Sequence, residues 1–551
     1  MEALRQRGTL MDVVGRFSSP YDAFVGSVRQ APESPFLIAP ASAQLPYARD
    51  GFRLSYGAVS QDVEEARAAY ARAGYGRGAR VALLLENRPD FFTHWLALNA
   101  LGVSITPINP DLRPEELAFQ LSLADVDLAV GVGERVASLA RASEFARFRP
   151  IELGAAPPDC RKPVVAQAAA LEAECALLFT SGSTGKPKGC MLSNRYFLQV
   201  AQWYLAQGGV ASLSEGEVNL TPLPMFHMNA LGCSAVGMMA LGGAIVPLDR
   251  FHASRWWASV ADSGATVVHC LGVIPAILLQ LPPSPDDRRH KARFAFAPGV
   301  DARHRAAFEE RYNIRIVDAW AMTETGGAAA TTTARVPPGF GARCIGQPAD
   351  TMEYRIVDER GNDVARGQAG ELLVRARGAD KRAGFFSGYL NDAAATDEAW
   401  QGDWFHTGDF VQAGADDLLY FFDRKKSIVR RSGENIAVLE VESVLQRQKD
   451  VRATAVTPVP DELRGEEVFA FIIAESDAAT EQAALAERIV RESAALIAYH
   501  KLPAYVAFVD ELPLSPTKKL ARGEIKQLAA RAVSEGAAID LRALKAELRK
   551  H

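Results

Sequence analysis

Apolar positions along the chain follow two alternating rhythms. Val59 to Ala73, rich in Ala, Glu and Arg, has the spacing of an amphipathic helix, whereas Ala79 to Leu84 is a short unbroken apolar run that predicts a buried strand. Phe91 to Leu101 predicts a second helix and Ser104 to Asn109 a second strand. The pattern returns at Ala176 to Thr180, Ile245 to Leu248, Val267 to Leu271 and Ile314 to Val317, each a predicted strand ending in a loop. Strands alternating with helices at this pitch predict parallel α/β layers, whose functional groups belong at the carboxyl ends of the strands.

After about Gly339 the texture becomes β-rich, with predicted strands at Glu353 to Asp358, Glu371 to Arg375 and Leu418 to Phe422 between Gly, Asn and Asp turns. Asp423 to Arg431 then holds five basic residues in nine. Beyond it Val451 to Val459, Val468 to Ile473 and Tyr505 to Phe508 are strands of a further unit, large enough for a small domain. The fold class is therefore α/β: a large N-terminal domain of layered α/β subdomains plus a β-rich subdomain, residues 1–422, followed by a small α+β C-terminal domain over 427–551.

Composition changes this picture little. Hydrophobic residues are 48% and charged residues 23%, which excludes disorder. With 61 Lys plus Arg against 66 Asp plus Glu, no overall field favours nucleic acid or an anionic membrane, and an anionic ligand must be met locally. One stretch raises a membrane question: the 31 residues between Glu217 and Asp249 lack any charge. Pro222, Pro224, His227, Asn229, Gly242, Gly243 and Pro247 interrupt it, so it is expected to be core, made of a loop, a short helix and a strand. Six scattered cysteines without a C-x-x-C pair suggest neither zinc nor disulfides and fit a cytoplasmic protein. The mixed charges of Met1 to Arg7 argue against a secretory signal.

The chemistry begins at Thr180-Ser181-Gly182-Ser183-Thr184-Gly185-Lys186-Pro187-Lys188-Gly189. Three glycines, four hydroxyls and two lysines after an apolar strand make a cradle for polyphosphate. A Walker A loop would need glycine in place of Thr180 and Ser or Thr in place of Pro187, so an ordinary P-loop is excluded. A solvated Gly/Ser turn would not need so many donors. His94, His252, His269, His290 and His304 lack metal spacing, no H-E-x-x-H or G-x-S-x-G occurs, and Cys190 has no evident base.

Together with several downstream segments, this loop resembles the signature of the adenylate-forming superfamily of acyl-CoA synthetases, peptide-synthetase adenylation domains and beetle luciferases, over nearly the whole chain. Asp318-Ala319-Trp320-Ala321-Met322-Thr323-Glu324 is similar to the family segment in which an aromatic ring stacks on adenine, a Thr bonds the α-phosphate and a Glu holds Mg²⁺. Trp320 replaces the usual Tyr: a ring face is kept and the phenolic hydrogen bond is not. Asp318 replaces Gln or Asn, and Ala321 replaces a Gly beside the acyl pocket. Asp409, in Trp404-Phe405-His406-Thr407-Gly408-Asp409, is similar to the ribose ligand. Phe422-Asp423-Arg424-Lys425-Lys426 resembles the hinge, here 423–426, with Arg424 near the ribose and Lys426 the pivot of a mobile C-terminal domain. Ser427 replaces the acidic residue usual there.

The resemblance further implies a CoA-binding loop at Ser432 and Gly433. It implies a catalytic lysine in Leu514-Ser515-Pro516-Thr517-Lys518-Lys519-Leu520, where the register favours Lys519 over Lys518. His227, in Leu223-Pro224-Met225-Phe226-His227, resembles the gate between the ATP site and an acyl pocket also lined by Asn229, Leu271, Ala297 and Ala321; by itself it would read as a core histidine. The implied function is AMP-forming ligation of a carboxylic acid to CoA with ATP and Mg²⁺, close in feel to the carnitine/crotonobetaine branch and to small- and medium-chain acyl-CoA synthetases. A stand-alone enzyme acylating a carrier protein, or a non-catalytic nucleotide-binding homologue, is the alternative. No nucleic acid and no transmembrane segment are expected, and a homodimer is left open.

Overall fold

The structure is a computed structural model, describing residues 12–112, 114–161, 170–180, 187–300, 302–332, 343–414, 417–424, 428–431, 434–461, 464–475, 482–497, 499–514 and 520–548. The first strands are β1 (Pro35–Ala39), β2 (Phe52–Ser55), β3 (Arg80–Leu84), β4 (Ser104–Pro107), β5 (Leu128–Gly131), β6 (Arg149–Glu152), β7 (Glu174–Thr180) and β8 (Lys188–Ser193). They are followed by β9 (Val218–Thr221), β10 (Ala244–Pro247), β11 (Val267–His269), β12 (Phe294–Phe296), β13 (Arg315–Val317) and β14 (Ala319–Trp320). Two seven-stranded sheets result. One runs β13-β12-β11-β9-β10-β1-β2, parallel except for β2. The other runs from the short strand Gly388–Tyr389 through β8-β7-β4-β3-β5-β6, with β7, β4, β3, β5 and β6 parallel.

Both sheets reverse direction internally. In the first, β9 connects to β10 on one side, whereas β11 lies on the other side of β9 and the chain continues outward through β12 and β13. The strand order therefore changes sense between β9 and β11, and the ligand crevice of an open α/β sheet lies beyond the carboxyl ends of the strands at such a point. One large core, including Leu83, Trp95, Phe197, Leu231 and Phe296, spans both sheets.

A third, eight-stranded sheet begins with β14 and includes the antiparallel strands Gly370–Ala376, Trp404–Ala413 and Leu419–Arg424. The last sheet starts at Ile428–Arg431 and is built around the long hairpin Val451–Asp461 and Gly465–Ala474. Inside it the buried Glu467 accepts from Arg431 Nε at 2.6 Å and from Lys545 Nζ at 2.8 Å, tying the last helix to the strand that enters this unit. The buried carboxylate is thus paired with two cations, as burial requires.

The uncharged stretch departs from expectation. It opens with a strand, β9, and its helix is a π-helix, Asn229–Val236, running straight into an α-helix, Gly237–Leu241, before β10. It is core, and among the described residues no helix is long and apolar enough to cross a membrane. The predicted strand Val267 to Leu271 stops at His269, because the chain turns at Gly272: a Cβ there would meet the Gly299 oxygen at 2.0 Å, so two loops touch backbone to backbone.

Candidate active site

The strand ends converge as the parallel sheet dictates. His227 lies exposed at the end of the loop after β9, its ring 4.7 Å from that of Phe226. Asn87, buried just past β3 of the other sheet, fixes that loop: its amide nitrogen donates to the Leu223 and Leu248 oxygens at 2.8 Å, and its oxygen accepts from Met225 N at 3.0 Å. This residue was missed in the sequence, where only its place after a buried strand marks it. Leu271, 44% exposed, stands after β11.

Ala297, expected by sequence to line the acyl pocket, is wholly buried in the second core with Val268, Cys270 and Ala295, its N–H on the Val317 oxygen. Ala321, by contrast, is exposed just past β14. Asp318 joins these loops: Oδ1 accepts from the Gly299 and Ala319 amides at 2.9 Å, and Oδ2 from Arg305 at 3.3 Å. Burial nonetheless dominates and pushes its carboxyl up to about 6.

Trp320 and Asp409 meet across the third sheet, where the indole Nε1–H donates to Asp409 Oδ2 at 2.8 Å. Both are nearly buried, at 6% and 3% exposure. The indole thus supplies a hydrogen bond that the loss of the usual phenol did not suggest. Thr407 Oγ1 accepts from the Asp409 amide at 3.0 Å, and the backbone of Arg424 lies opposite Asp409 in the neighbouring strand.

Glu324, buried, accepts from the Tyr389 hydroxyl at 2.9 Å, while Thr323 beside it is half-buried. Tyr389 pairs with Cys190 of β8, and the Lys188 ammonium sits 4.7 Å from the Tyr389 ring centroid and 4.0 Å from Asp392. One side chain therefore links the lysine of the glycine-rich loop to the acidic residue expected to hold metal. Sequence reading missed Tyr389. Thr180 closes the group, its Oγ1 3.9 Å from Cys190 Sγ. Burial, then the nearby Glu324, pushes the Cys190 thiol far up, so it packs as a neutral group. Ser181, Gly182, Ser183, Thr184, Gly185, Lys186, Lys426, Ser432, Gly433, Lys518 and Lys519 lie outside the described residues, as does the side chain of Arg424.

Among the described residues no cluster of His, Cys, Asp or Glu could hold a metal by itself. A single buried carboxylate such as Glu324 fits Mg²⁺, which takes one or two carboxylates together with substrate phosphates.

Paired α/β sheets with a switch point, and a glycine-rich, phosphate-type sequence between β7 and β8, are features of nucleotide-handling enzymes. The chain belongs to the AMP-binding enzyme family: the family's main model matches residues 24–390 and that of the AMP-binding enzyme C-terminal domain matches 440–519. Among curated relatives it is 29% identical over 510 residues to sulfoacetate–CoA ligase of Cupriavidus necator, covering 90% of this chain and 94% of that protein. It is 26% identical over 498 residues to crotonobetaine/carnitine–CoA ligase of Proteus mirabilis, covering 86% and 93%. The same fold occurs in o-succinylbenzoate CoA synthetase of Bacillus subtilis, with TM-score 0.77, 22% identity and 92% and 97% of the two chains covered. It occurs also in a Mycobacterium tuberculosis fatty acyl CoA synthetase, with TM-score 0.69, 21% identity and 93% and 99% coverage.

Proposed function

We propose that the protein is an ATP-dependent acyl-CoA ligase, which activates a carboxylic acid as its acyl-adenylate with release of pyrophosphate and then passes the acyl group to CoA. The observation that carries this reading is the meeting of the Trp320–Asp409 pair with the Lys188–Tyr389–Glu324 group on one chain segment, 318–324, since adenosine and phosphate ligands must be held a few residues apart. A carboxylate is a poor electrophile. Attack of its oxygen on the α-phosphorus of ATP expels pyrophosphate and leaves AMP as a leaving group; attack of the CoA sulfur on the acyl carbon then expels AMP, the thiol proton passing to solvent.

Trp320 and Asp409, with Arg424, would hold adenosine; Lys188 and the glycine-rich loop would hold the β and γ phosphates; Thr323 would donate to the α-phosphate. Mg²⁺ held by Glu324 supplies positive charge against the phosphoryl oxygens when bound. Lys519 on the small domain serves only the first step, so rotation at Lys426, within the hinge 423–426, would replace it with the loop of Ser432 and Gly433 and admit CoA. The acid enters past His227 into the crevice between β9 and β11. Crotonobetaine, carnitine and sulfoacetate, the acids named in the relatives, are the first candidates. Pyrophosphate release over a panel of acids, with and without CoA, tests the reading. Acid-dependent release followed by acyl-CoA supports it, and ATP binding with no release by any acid overturns it; transfer to a holo-carrier protein in place of CoA would assign the alternative thiol.

A further inference from the structure

Beneath the crevice, on the two strands that border it, lies a buried polar chain that adenylation does not use. His269 ends β11 and Asn219 sits on the adjacent β9. Tyr204, from the helix Asn194–Leu205, joins them: its hydroxyl is 2.7 Å from His269 Nε2 and 3.2 Å from Asn219 Nδ2. On the other side of the ring, Nδ1 is 2.9 Å from Asn229 Oδ1 and 3.1 Å from Ser234 Oγ. His269, Tyr204, Asn219 and Ser234 are all within 1% of full burial, whereas Asn229 is half-buried.

The helix geometry makes this contact. Asn229 and Ser234 are five residues apart, about 140° round an α-helix of 3.6 residues per turn. The i→i+5 bonding of the π-helix Asn229–Val236 places them nearly one turn apart, so both reach the same ring nitrogen.

The sense of the chain is set by the groups each member can donate. Burial pulls the His269 imidazole down to about 3 and pushes the Tyr204 phenol far up, so both are neutral and the ring has one N–H and one lone pair. In one sense Asn219 donates to Tyr204, Tyr204 to Nε2, and Nδ1–H to Asn229 Oδ1. This leaves the Asn219 oxygen without a partner among the described residues. In the reverse sense the Asn219 amide must turn over and leave its NH₂ group buried and unpaired. Orphaned buried N–H groups are rarer and costlier than under-used carbonyl oxygens, so the first sense holds. Ser234, a rotatable hydroxyl, suits either. With its oxygen bound to the ring, half-buried Asn229, at the start of the helix that follows the β9 loop, has an NH₂ that donates to no described residue.

We propose that His269 is a positioning residue that locks the Asn229 amide with its N–H groups facing the acyl crevice, and that the acid selected carries a hydrogen-bond acceptor oxygen in its chain rather than a plain hydrocarbon. This rests on the crevice being the acyl site of the proposed ligase. The test is kcat/KM, by pyrophosphate release with the full chain, for straight-chain oxo acids against alkanoic acids of equal length from four to six carbons. Wild type favours the oxo acid by about fivefold or more, the worth of one hydrogen bond. Asn229→Leu abolishes or inverts the preference. Tyr204→Phe, which frees the imidazole tautomer, reduces it through KM for the acid with KM for ATP unchanged. His269→Asn, which keeps a donor amide near Nδ1, retains more of the preference than His269→Leu; this a packing role alone would not give. Alkanoic acids preferred at every length, or a ratio unmoved by Tyr204→Phe and His269→Leu, overturns the inference while leaving the ligase reading intact. Failure of every acid to release pyrophosphate overturns both.

Discussion

The indole N–H of Trp320 donates to Asp409 Oδ2 across 2.8 Å, with both side chains nearly buried. A residue placed by sequence for its ring face thereby also orients the carboxylate proposed to bind ribose. Trp320→Phe keeps the face and removes the donor. Because hydrogen bonds to charged groups are worth about 1.5 to 3 kcal/mol, ATP and AMP should bind roughly 10- to 100-fold more weakly, measured by calorimetry. An unchanged Kd would detach Trp320 from nucleotide binding.

Tyr389→Phe should separate two contacts of one side chain. The ring under Lys188 remains, and the hydroxyl on Glu324 is lost. The Mg²⁺ concentration for half-maximal activity should rise several-fold, with little change in KM for the acid. Equal loss of affinity for every substrate would instead mean general damage.

Asp318 gives a pH signature. Its folded carboxyl titrates at about 6, above the ordinary carboxylate range, because burial disfavours the charge. A group with a raised folded pKa contributes stability that is present below its unfolded pKa, near 4, and is lost as pH rises through about 6. The Asp318→Asn variant lacks this loss. Its melting temperature relative to wild type should therefore rise between pH 4 and 7, by an amount corresponding to on the order of 2 kcal/mol. A pH-independent difference would show that Asp318 does not titrate in this window.

Most of the parallel strands were legible because a strand buried on both faces leaves an unbroken apolar run, as in Ala79 to Leu84. Strand β9 was not: Val218-Asn219-Leu220-Thr221 carries Asn219 into the core, where, among the described residues, its side chain is bonded by Tyr204, distant in sequence. The motif residues Trp320, Glu324 and Asp409 could be read locally, but their supports could not. Asn87 acts through the backbone of another sheet, Tyr389 is 65 residues from Glu324, and His269 depends on a π-helix that no apolar period announces.

The division of labour between the two half-reactions is tested most directly at Lys519. Adenylation by the Lys519→Ala variant, followed by acid-dependent pyrophosphate exchange, should slow by roughly 10²- to 10³-fold, the scale of a lost transition-state donor. Thioester formation from supplied acyl-adenylate and CoA should stay close to wild type. Equal loss in both half-reactions, or a larger adenylation defect in Lys518→Ala, would contradict a lysine that serves the first step alone.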